Sequence, residues 1–317
     1  MWLWLLVLLG LWLLWRWHRE RQMVPGLEDK FVLITGCDSG FGNLLARQLD
    51  ARGLQVLAGC LTESGAARLQ AATSSRLQTV LLDVTSSSSI AAAVAWVQER
   101  VGQRGLWGLV NNAGTATPSA PNEWLRKEDF MALMNVNLVG LIEVTVSMLP
   151  LLRRGAGRVV NVSSMMGRIS AFGGGYCPSK FGVEAFSDSL RLEMYHFGVK
   201  VSIIEPGFFN TGITHAASVE KVFLKYWERL PDETKASYGD KYWKDYLANM
   251  NRANRCCNPN LSMVTNCMEH ALTSRYPRCR YAVGWDARLF VIPLSYMPSA
   301  IFDAFFTHLY PKPAQRG

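Results

Sequence analysis

Charge is sparse in this chain and is not organised into blocks. Only 18% of its 317 residues are Asp, Glu, Lys or Arg, and the cations are scattered apart from "RWHRER" and isolated pairs such as Arg153-Arg154. A net charge of +8 without a basic stripe is no nucleic-acid footprint, so nucleic acid is not an expected partner. Cysteine occurs seven times, an odd number with no metal-ligand spacing beyond the adjacent pair Cys256-Cys257. That pattern excludes a disulfide framework in a chain this long, and no metal site is expected. The glycine-rich stretch "ITGCDSGFGNLLA", Ile34 to Ala46, lacks the Gly-Lys-Ser/Thr ending of a nucleoside triphosphate loop. Its glycines, Gly36, Gly40 and Gly42, also miss the G-x-G-x-x-G spacing of the ordinary dinucleotide fingerprint. There is no internal repeat, and "SSSS" at Ser86 to Ser89 suits a turn and helix cap. A secretory signal would carry its cations before the apolar run and a small-residue cleavage site after it; both are missing.

Apolar residues are plentiful, at 49%, enough for one large core. From Trp2 to Trp15, "WLWLLVLLGLWLLW" carries no charge, and Arg16, His18, Arg19 and Arg21 follow at once. Residues 1–24 are therefore expected to stay attached as a membrane anchor with a basic flank, slightly shorter than the ~17–25 residues of a spanning helix. The tryptophans suit the lipid interface, and the cations on the C-terminal side favour a domain facing the cytosol.

From Phe31 onward, apolar strand patterns ("FVLITG", "QVLAGCL", "TVLLDV", "LWGLVNNAG", "GRVVNVSS", "VKVSIIEPG") alternate with helical ones. Nearly continuous apolar strands in βαβ order predict an α/β fold, a doubly wound, Rossmann-like parallel sheet covered by helices on both faces. Residues 25–210 form its expected catalytic core. Between 211 and 280 the pattern turns charged, aromatic and helical, the expected substrate lid. Residues 281–317 supply a last strand and an apolar arm broken by Pro293, Pro298 and Pro311, which argues against a spanning helix there. In such sheets ligands bind beyond the carboxyl ends of the strands. The polar signals fall there: Gly36 to Gly42, Asp83, Asn111 to Gly114, Ser163-Ser164 and Pro206-Gly207.

Tyr176 and Lys180 are four apart, hence on one helix face. Pro178 between them is tolerable only in a first turn, which places the phenol at the positive helix end. A phenol titrating near ~10 is too weak an acid to serve as a base at neutral pH, and a close ammonium would lower it. Ser164 ends a predicted strand and can face Tyr176 across the cleft. Asn137 sits among apolar helix neighbours, where an amide must satisfy some partner.

Together these motifs resemble the short-chain dehydrogenase/reductase family: "TGCDSGFG", "NNAG", a strand-end Ser, Y-x-x-x-K and "PGFFNT" occur in the family's order from Thr35 to Thr211. "GGGYC", "VEAFSDSL", "CMEHAL" and "GWDA" are similar to its microsomal retinol and hydroxysteroid dehydrogenase branch. The resemblance implies Tyr176 as acid/base, Lys180 as its pKa modifier and ribose ligand, Ser164 as the group orienting the substrate oxygen, and Asn137 as holder of a water near Lys180. It implies a dinucleotide held by Thr35, Gly36, Ser39, Gly40, Phe41, Gly42, Asp83, Asn111, Ala113, Gly114, Tyr176, Lys180, Pro206, Gly207 and Thr211. It further implies a membrane-bound enzyme of the endoplasmic reticulum that oxidises a retinoid or steroid alcohol, with a second copy of the chain as candidate partner. Leu61 and Thr62 stand where many NAD-using relatives have an acid and many NADP-using ones an arginine. With no cation there for a 2′-phosphate, NAD is favoured over NADP. An NADPH-dependent reductase and a non-catalytic retinoid- or steroid-binding protein remain alternatives.

Overall fold

The computed structural model describes residues 2–211 and 216–315. Seven strands form one sheet: β1 Phe31–Thr35, β2 Gln55–Cys60, β3 Leu77–Leu81, β4 Gly108–Asn111, β5 Arg158–Val162, β6 Lys200–Pro206 and β7 Arg280–Val283. Their order is β3-β2-β1-β4-β5-β6-β7, and every pairing is parallel. The chain leaves β1 towards β2 on one side and later returns to place β4 on the other. The loops after β1 and β4 therefore part at the sheet's centre and open a crevice.

The helices are α1 Trp2–Glu20, α2 Gly40–Ala51, α3 Glu63–Ala71, α4 Ser87–Val101, α5 Lys127–Met134, α6 Leu141–Arg154, α7 Tyr176–Glu193, α8 Ala216–Glu228, α9 Asp232–Tyr238, α10 Asp240–Arg255, α11 Ser262–Thr273, α12 Ile292–Leu294 and α13 Ser299–Leu309. Strand side chains alternate between the two sheet faces, and each face has its own core. Val32, Ile34, Val56, Val110 and Ile204 pack with Leu45 and Leu49 of α2 and Met268 and Leu272 of α11. Leu33, Leu57, Leu109 and Val159 pack with Ile90 and Val97 of α4, Val144 and Met148 of α6 and Leu190 of α7. The boundary expected at residue 280 is corrected here. Although α11 lies within the predicted lid, its Val264, Met268, Ala271 and Leu272 are fully buried under the sheet.

Helices α8 to α10 gather around Trp124. Its ring lies 5.1 Å from Phe223, 5.2 Å from Trp227 and 5.2 Å from Tyr238. The C-terminal arm bends by 119° between Ala287–Leu294 and Ser299–Leu309, at the break that Pro298 imposes. Among the described residues one unbroken helix, Lys127–Arg154, is long and apolar enough to cross a membrane. Its Leu133, Val144, Met148 and Leu152 lie in the core.

Along α1, Trp4, Leu6, Leu8, Leu11, Trp12, Leu14 and Trp15 are all exposed. Its base is fastened to the segment before β7. Val24 N–H donates to the Thr273 carbonyl (2.8 Å) and Arg275 N–H to the Gln22 carbonyl (2.8 Å), Glu20 pairs with Arg278, and Arg19 stacks on Tyr276 at 4.1 Å. In a parallel sheet the N-terminal end of β7 is opposite the carboxyl-end crevice, so α1 leaves from the far end.

Candidate active site

The glycine loop is built by close backbone contacts. A Cβ on Gly36 (φ +71°) would lie 2.8 Å from Ala113 Cα, and one on Gly42 would lie 2.4 Å from the Gly36 carbonyl oxygen and 2.4 Å from Asn112 Nδ2. Gly40 differs: its φ is +61°, but its nearest neighbour is Thr211 Cβ at 4.0 Å, so the face it turns outward is open. Thr35 Oγ1 accepts the Asn112 and Ala113 amides at 3.0 Å each, and Asn112 Nδ2 donates to the Thr35 (2.9 Å) and Gly36 (3.1 Å) carbonyls. These bonds lock the loop after β1 to the loop after β4. The amides at the start of α2 then face the crevice, which suits a pyrophosphate.

Asn112, which the motif reading passed over, is thus the loop-binding residue of "NNAG". Asn111, expected to contact cofactor, is not brought into the crevice. It is buried, and its amide donates to Thr145 Oγ1 and Asn161 Oδ1, both at 2.8 Å. A side chain on β4 that points into a helix-covered face cannot also reach the strand end.

Two hollows meet over Gly36, Ser39, Ala113 and Gly114. The one of about 340 Å³ is lined by Asp38, Leu61, Thr62, Asp83 and Thr85; the one of about 240 Å³ by Gly40, Phe41, Ser164, Tyr176, Lys180, Pro206, Gly207 and Thr211. A dinucleotide fits this arrangement: two nucleoside-sized spaces are joined across a glycine cradle whose inward Cβ positions are obstructed. Asp83 Oδ1 accepts the Thr85 amide at 2.8 Å, which fixes the turn at the first hollow's edge.

Asp38 was another omission. It lies in the glycine loop, yet its carboxylate accepts the Leu61 amide (2.7 Å), the Thr62 amide (3.0 Å) and the Thr62 hydroxyl (2.7 Å). Burial by itself would raise this carboxyl, but those three donors outweigh it and hold the group below its usual value. A negative charge therefore sits at the end of β2 even though the acid comes from the loop after β1, and among the described residues no lysine or arginine lines that hollow.

Asn137 lies in the π-helical turn Asn135–Gly140 between α5 and α6. Its Oδ1 accepts the Thr115 amide (2.8 Å), and its Nδ2 donates to the Thr115 carbonyl (2.8 Å) and Ser179 Oγ (3.1 Å). The widened turn is what carries this amide inward to hold the loop beyond Gly114 against α7. Its side chain is committed to that loop, so any water near Lys180 would need another group of this turn.

Tyr176 is the first residue of α7, as Pro178 required. Ser164 caps the short turn Met165–Gly167, accepting the Met166 amide at 3.1 Å, and lines the same hollow as Tyr176. Lys180 Nζ lies 5.7 Å from the centroid of the Tyr176 ring and donates to the Val162 carbonyl at 2.8 Å. Burial pushes the Tyr176 phenol above its ordinary value, opposed by the Ser164 hydroxyl. Burial also pulls Lys180 down to about 8. The expected lowering of the phenol by Lys180 is thus not what dominates among the protein's own groups; desolvation does. Phe208 N–H donates to Asp286 Oδ2 (2.7 Å), and the carboxylate wedges against Gly207, where a Cβ would lie 2.1 Å from it. Asp286 therefore shapes the turn after β6.

Beyond the second hollow, and sharing Met165, Met166, Phe172 and Phe208 with it, opens a cavity of about 480 Å³. Tyr246, Met250, Val291, Phe305, Phe306 and Leu309 are among its walls, so α10 and the C-terminal arm build it.

Residues 30–221 match the family model of short chain dehydrogenases. The chain is 60% identical to mouse retinol dehydrogenase 16, over 99% of this chain and 100% of that protein. It is 58% identical to human 17-beta-hydroxysteroid dehydrogenase type 6, over 99% of each. Its fold matches a crystal structure of a short-chain dehydrogenase from Streptomyces avermitilis at a TM-score of 0.68 and 26% identity, covering 88% of this chain and 95% of that one. It also matches the fold of one from Burkholderia cenocepacia in complex with NADP, at a TM-score of 0.64 and 19% identity, covering 87% of this chain and 97% of that one. The chain belongs to the short-chain dehydrogenase family and is an oxidoreductase that works with a nicotinamide dinucleotide.

Proposed function

We propose that this enzyme oxidises a hydrophobic alcohol, a retinol or a 3α- or 17β-hydroxysteroid, to the carbonyl, with NAD preferred over NADP. The observation that carries the reading is the apolar cavity of about 480 Å³ that meets Tyr176 and Ser164 at Met165, Met166, Phe172 and Phe208. A polyene or a steroid nucleus matches its aromatic and thioether walls, and only one end of such a molecule needs polar partners. The retinol and hydroxysteroid dehydrogenase names of its relatives point to the same substrates.

The Ser164 and Tyr176 hydroxyls hold the alcohol oxygen, and Tyr176 Oη takes its proton as the carbonyl forms. Lys180 stabilises the phenolate and, with Gly36, Ser39, Gly40, Phe41, Asp83, Ala113, Gly114, Pro206, Gly207 and Thr211, holds the dinucleotide, while Thr35 and Gly42 hold the loop that carries it. Asn137 keeps the 113–115 loop in place beneath it. A bound oxidised nicotinamide dinucleotide would supply the redox chemistry, as the acceptor for hydride from the carbinol carbon. The Asp38 carboxylate would hydrogen-bond ribose hydroxyls and repel a 2′-phosphate, which supports NAD.

The exposed apolar α1 with its basic flank supports an anchor in the membrane of the endoplasmic reticulum and a cytosolic domain. A second copy could pack on exposed Val146, Phe181 and Leu192 of α6 and α7. The test is one membrane preparation assayed with NAD and NADP against a retinol and an androstane-type 3α-alcohol. Dinucleotide reduction with either alcohol, faster with NAD, is expected; tight retinoid binding without any reduction would replace the enzyme with a carrier.

A further inference from the structure

Lys180 is buried, and its ammonium meets one carbonyl. A buried ammonium tends to lose its proton unless a carboxylate balances it. One helical turn further along α7, on the same face, lies Glu184, itself 6% exposed. Its stem packs on the turn after Ser164: a Cβ on Gly167 would lie 3.0 Å from Glu184 Cγ. Its carboxylate is gripped by Arg280 of β7. Arg280 also bonds Asp188 (2.6 Å) and Glu205 of β6 (3.2 Å), and Glu205 accepts from Arg168 (3.1 Å). Three cations, Lys180, Arg280 and Arg168, thus face three carboxylates, Glu184, Glu205 and Asp188. Among the described residues, further titratable neighbours of this network are Arg191 beside Asp188 (3.3 Å), Tyr296 bonded by Arg168 (2.5 Å), and Tyr176 and Cys177 at the start of α7; the Ser163 hydroxyl lies beside Glu184 just after β5.

We propose that Glu184 is a positioning residue for catalysis: held by Arg280, it is the internal counter-charge that keeps Lys180 an ammonium beside Tyr176 throughout turnover. Glu184 touches neither cofactor nor substrate hollow, so it acts only through Lys180. The charge of Glu184 opposes the burial that pulls Lys180 down to about 8. Burial, then Glu205, push Glu184 above its usual carboxylate value, opposed by Ser163 and Arg280; the Arg280 ion pair favours its charged form.

The inference rests on the catalytic reading of Tyr176 and Lys180. The experiment compares the pH profile of kcat/KM for alcohol oxidation in the full chain with that of Glu184→Gln, Glu184→Asp and the double variant Glu184→Met with Arg280→Met. An adjacent opposite charge moves a pKa by about 1–3 units. Glu184→Gln should therefore bring the alkaline limb down by about one pH unit or more, while Glu184→Asp, which keeps the charge, stays near wild type. The double variant covers failure of the single one to fold; because it also removes the Arg280 charge that Asp188 and Glu205 share, it should show a smaller fall in the same direction. An alkaline limb unmoved in whichever variant folds, or moved equally by Glu184→Asp, overturns the proposal. A Tyr176→Phe enzyme that stays active would instead defeat the catalytic reading beneath it.

Discussion

The glycine loop offers a sharp separation between a residue that holds the fold and one that holds the ligand. At Gly42 a methyl group would meet the Gly36 carbonyl and the Asn112 amide at 2.4 Å, with backbone on one side and a doubly tied side chain on the other. Relief requires moving the β1 loop off the β4 loop, an overpacking cost of about 1–3 kcal/mol, towards the upper end here. At Gly40 a methyl group meets nothing closer than 4.0 Å. The φ of +61° alone costs an L-residue about 1–2 kcal/mol, and the methyl projects where the pyrophosphate is expected. Thermal unfolding with and without NAD separates the two. For wild type at a hundredfold excess over Kd, the dinucleotide adds about 2.7 kcal/mol; if Gly40→Ala weakens binding tenfold, the same concentration adds only about 1.4 kcal/mol. At about 2–4 °C per kcal/mol, Gly40→Ala should lose a few degrees without ligand and roughly half of the NAD-induced rise. Gly42→Ala should show the larger loss without ligand. A Gly40→Ala protein with an undiminished NAD shift, or a Gly42→Ala protein as stable as wild type, would refute the packing argument.

Removing the Asp38 charge should relax cofactor choice. In Asp38→Asn the ratio of NADP to NAD affinity is expected to rise at least about tenfold, from the loss of one close like-charge contact; an unchanged ratio would place the 2′-hydroxyl elsewhere. The fastening of α1 should be acid-sensitive. The Arg278 hydrogen bond holds Glu20 down to about 2 from 4.5, against its partial burial. A depressed carboxyl stabilises the fold above its unfolded value and loses that contribution as pH falls through the folded one. Limited proteolysis between residues 20 and 27 should therefore speed up between about pH 4.5 and 2, while Arg278→Met should be cleaved faster already at neutral pH; equal rates throughout would show that Glu20 does not hold the helix. Orientation has its own reporter, since the sequon at Asn260 is exposed whereas that at Asn161 is fully buried. Protease added to intact microsomes should digest the domain and no glycan should appear on Asn260; protection until detergent is added would put the domain in the lumen.

The strand segments, the start of α7 and the Tyr176–Lys180 spacing were legible because each rests on local rules. Apolar runs make strands, Pro178 forces a first turn, and four residues span one helix face. What escaped depends on where separate segments meet. Asp38 is a loop residue in sequence and a β2-end acid in space. Asn111 and Asn112 are neighbours in a motif, but the pleat sends one into the core and the other to the crevice. α11 has ordinary amphipathic spacing, with Val264, Met268, Ala271 and Leu272 on one face, but that spacing does not say whether the face meets the lid or the sheet; packing against α2 and the strands decides it. The widened turn that aims Asn137 inward has no composition signal at all. Its polar satisfaction was foreseeable, its partners were not.

The most direct test of the central claim is a single turnover of enzyme loaded with NAD and a retinol or 3α-hydroxysteroid, comparing wild type with Tyr176→Phe and reading reduced nicotinamide and carbonyl product together. A placed proton acceptor is worth on the order of 10²–10⁴ in rate. Wild type should form both products in equal amounts, and Tyr176→Phe should bind NAD normally yet react at least about a hundredfold more slowly. A variant within a few-fold of wild type would contradict the account, because the alcohol proton would then have a different acceptor and the Ser164–Tyr176–Lys180 cleft would not be the site of oxidation.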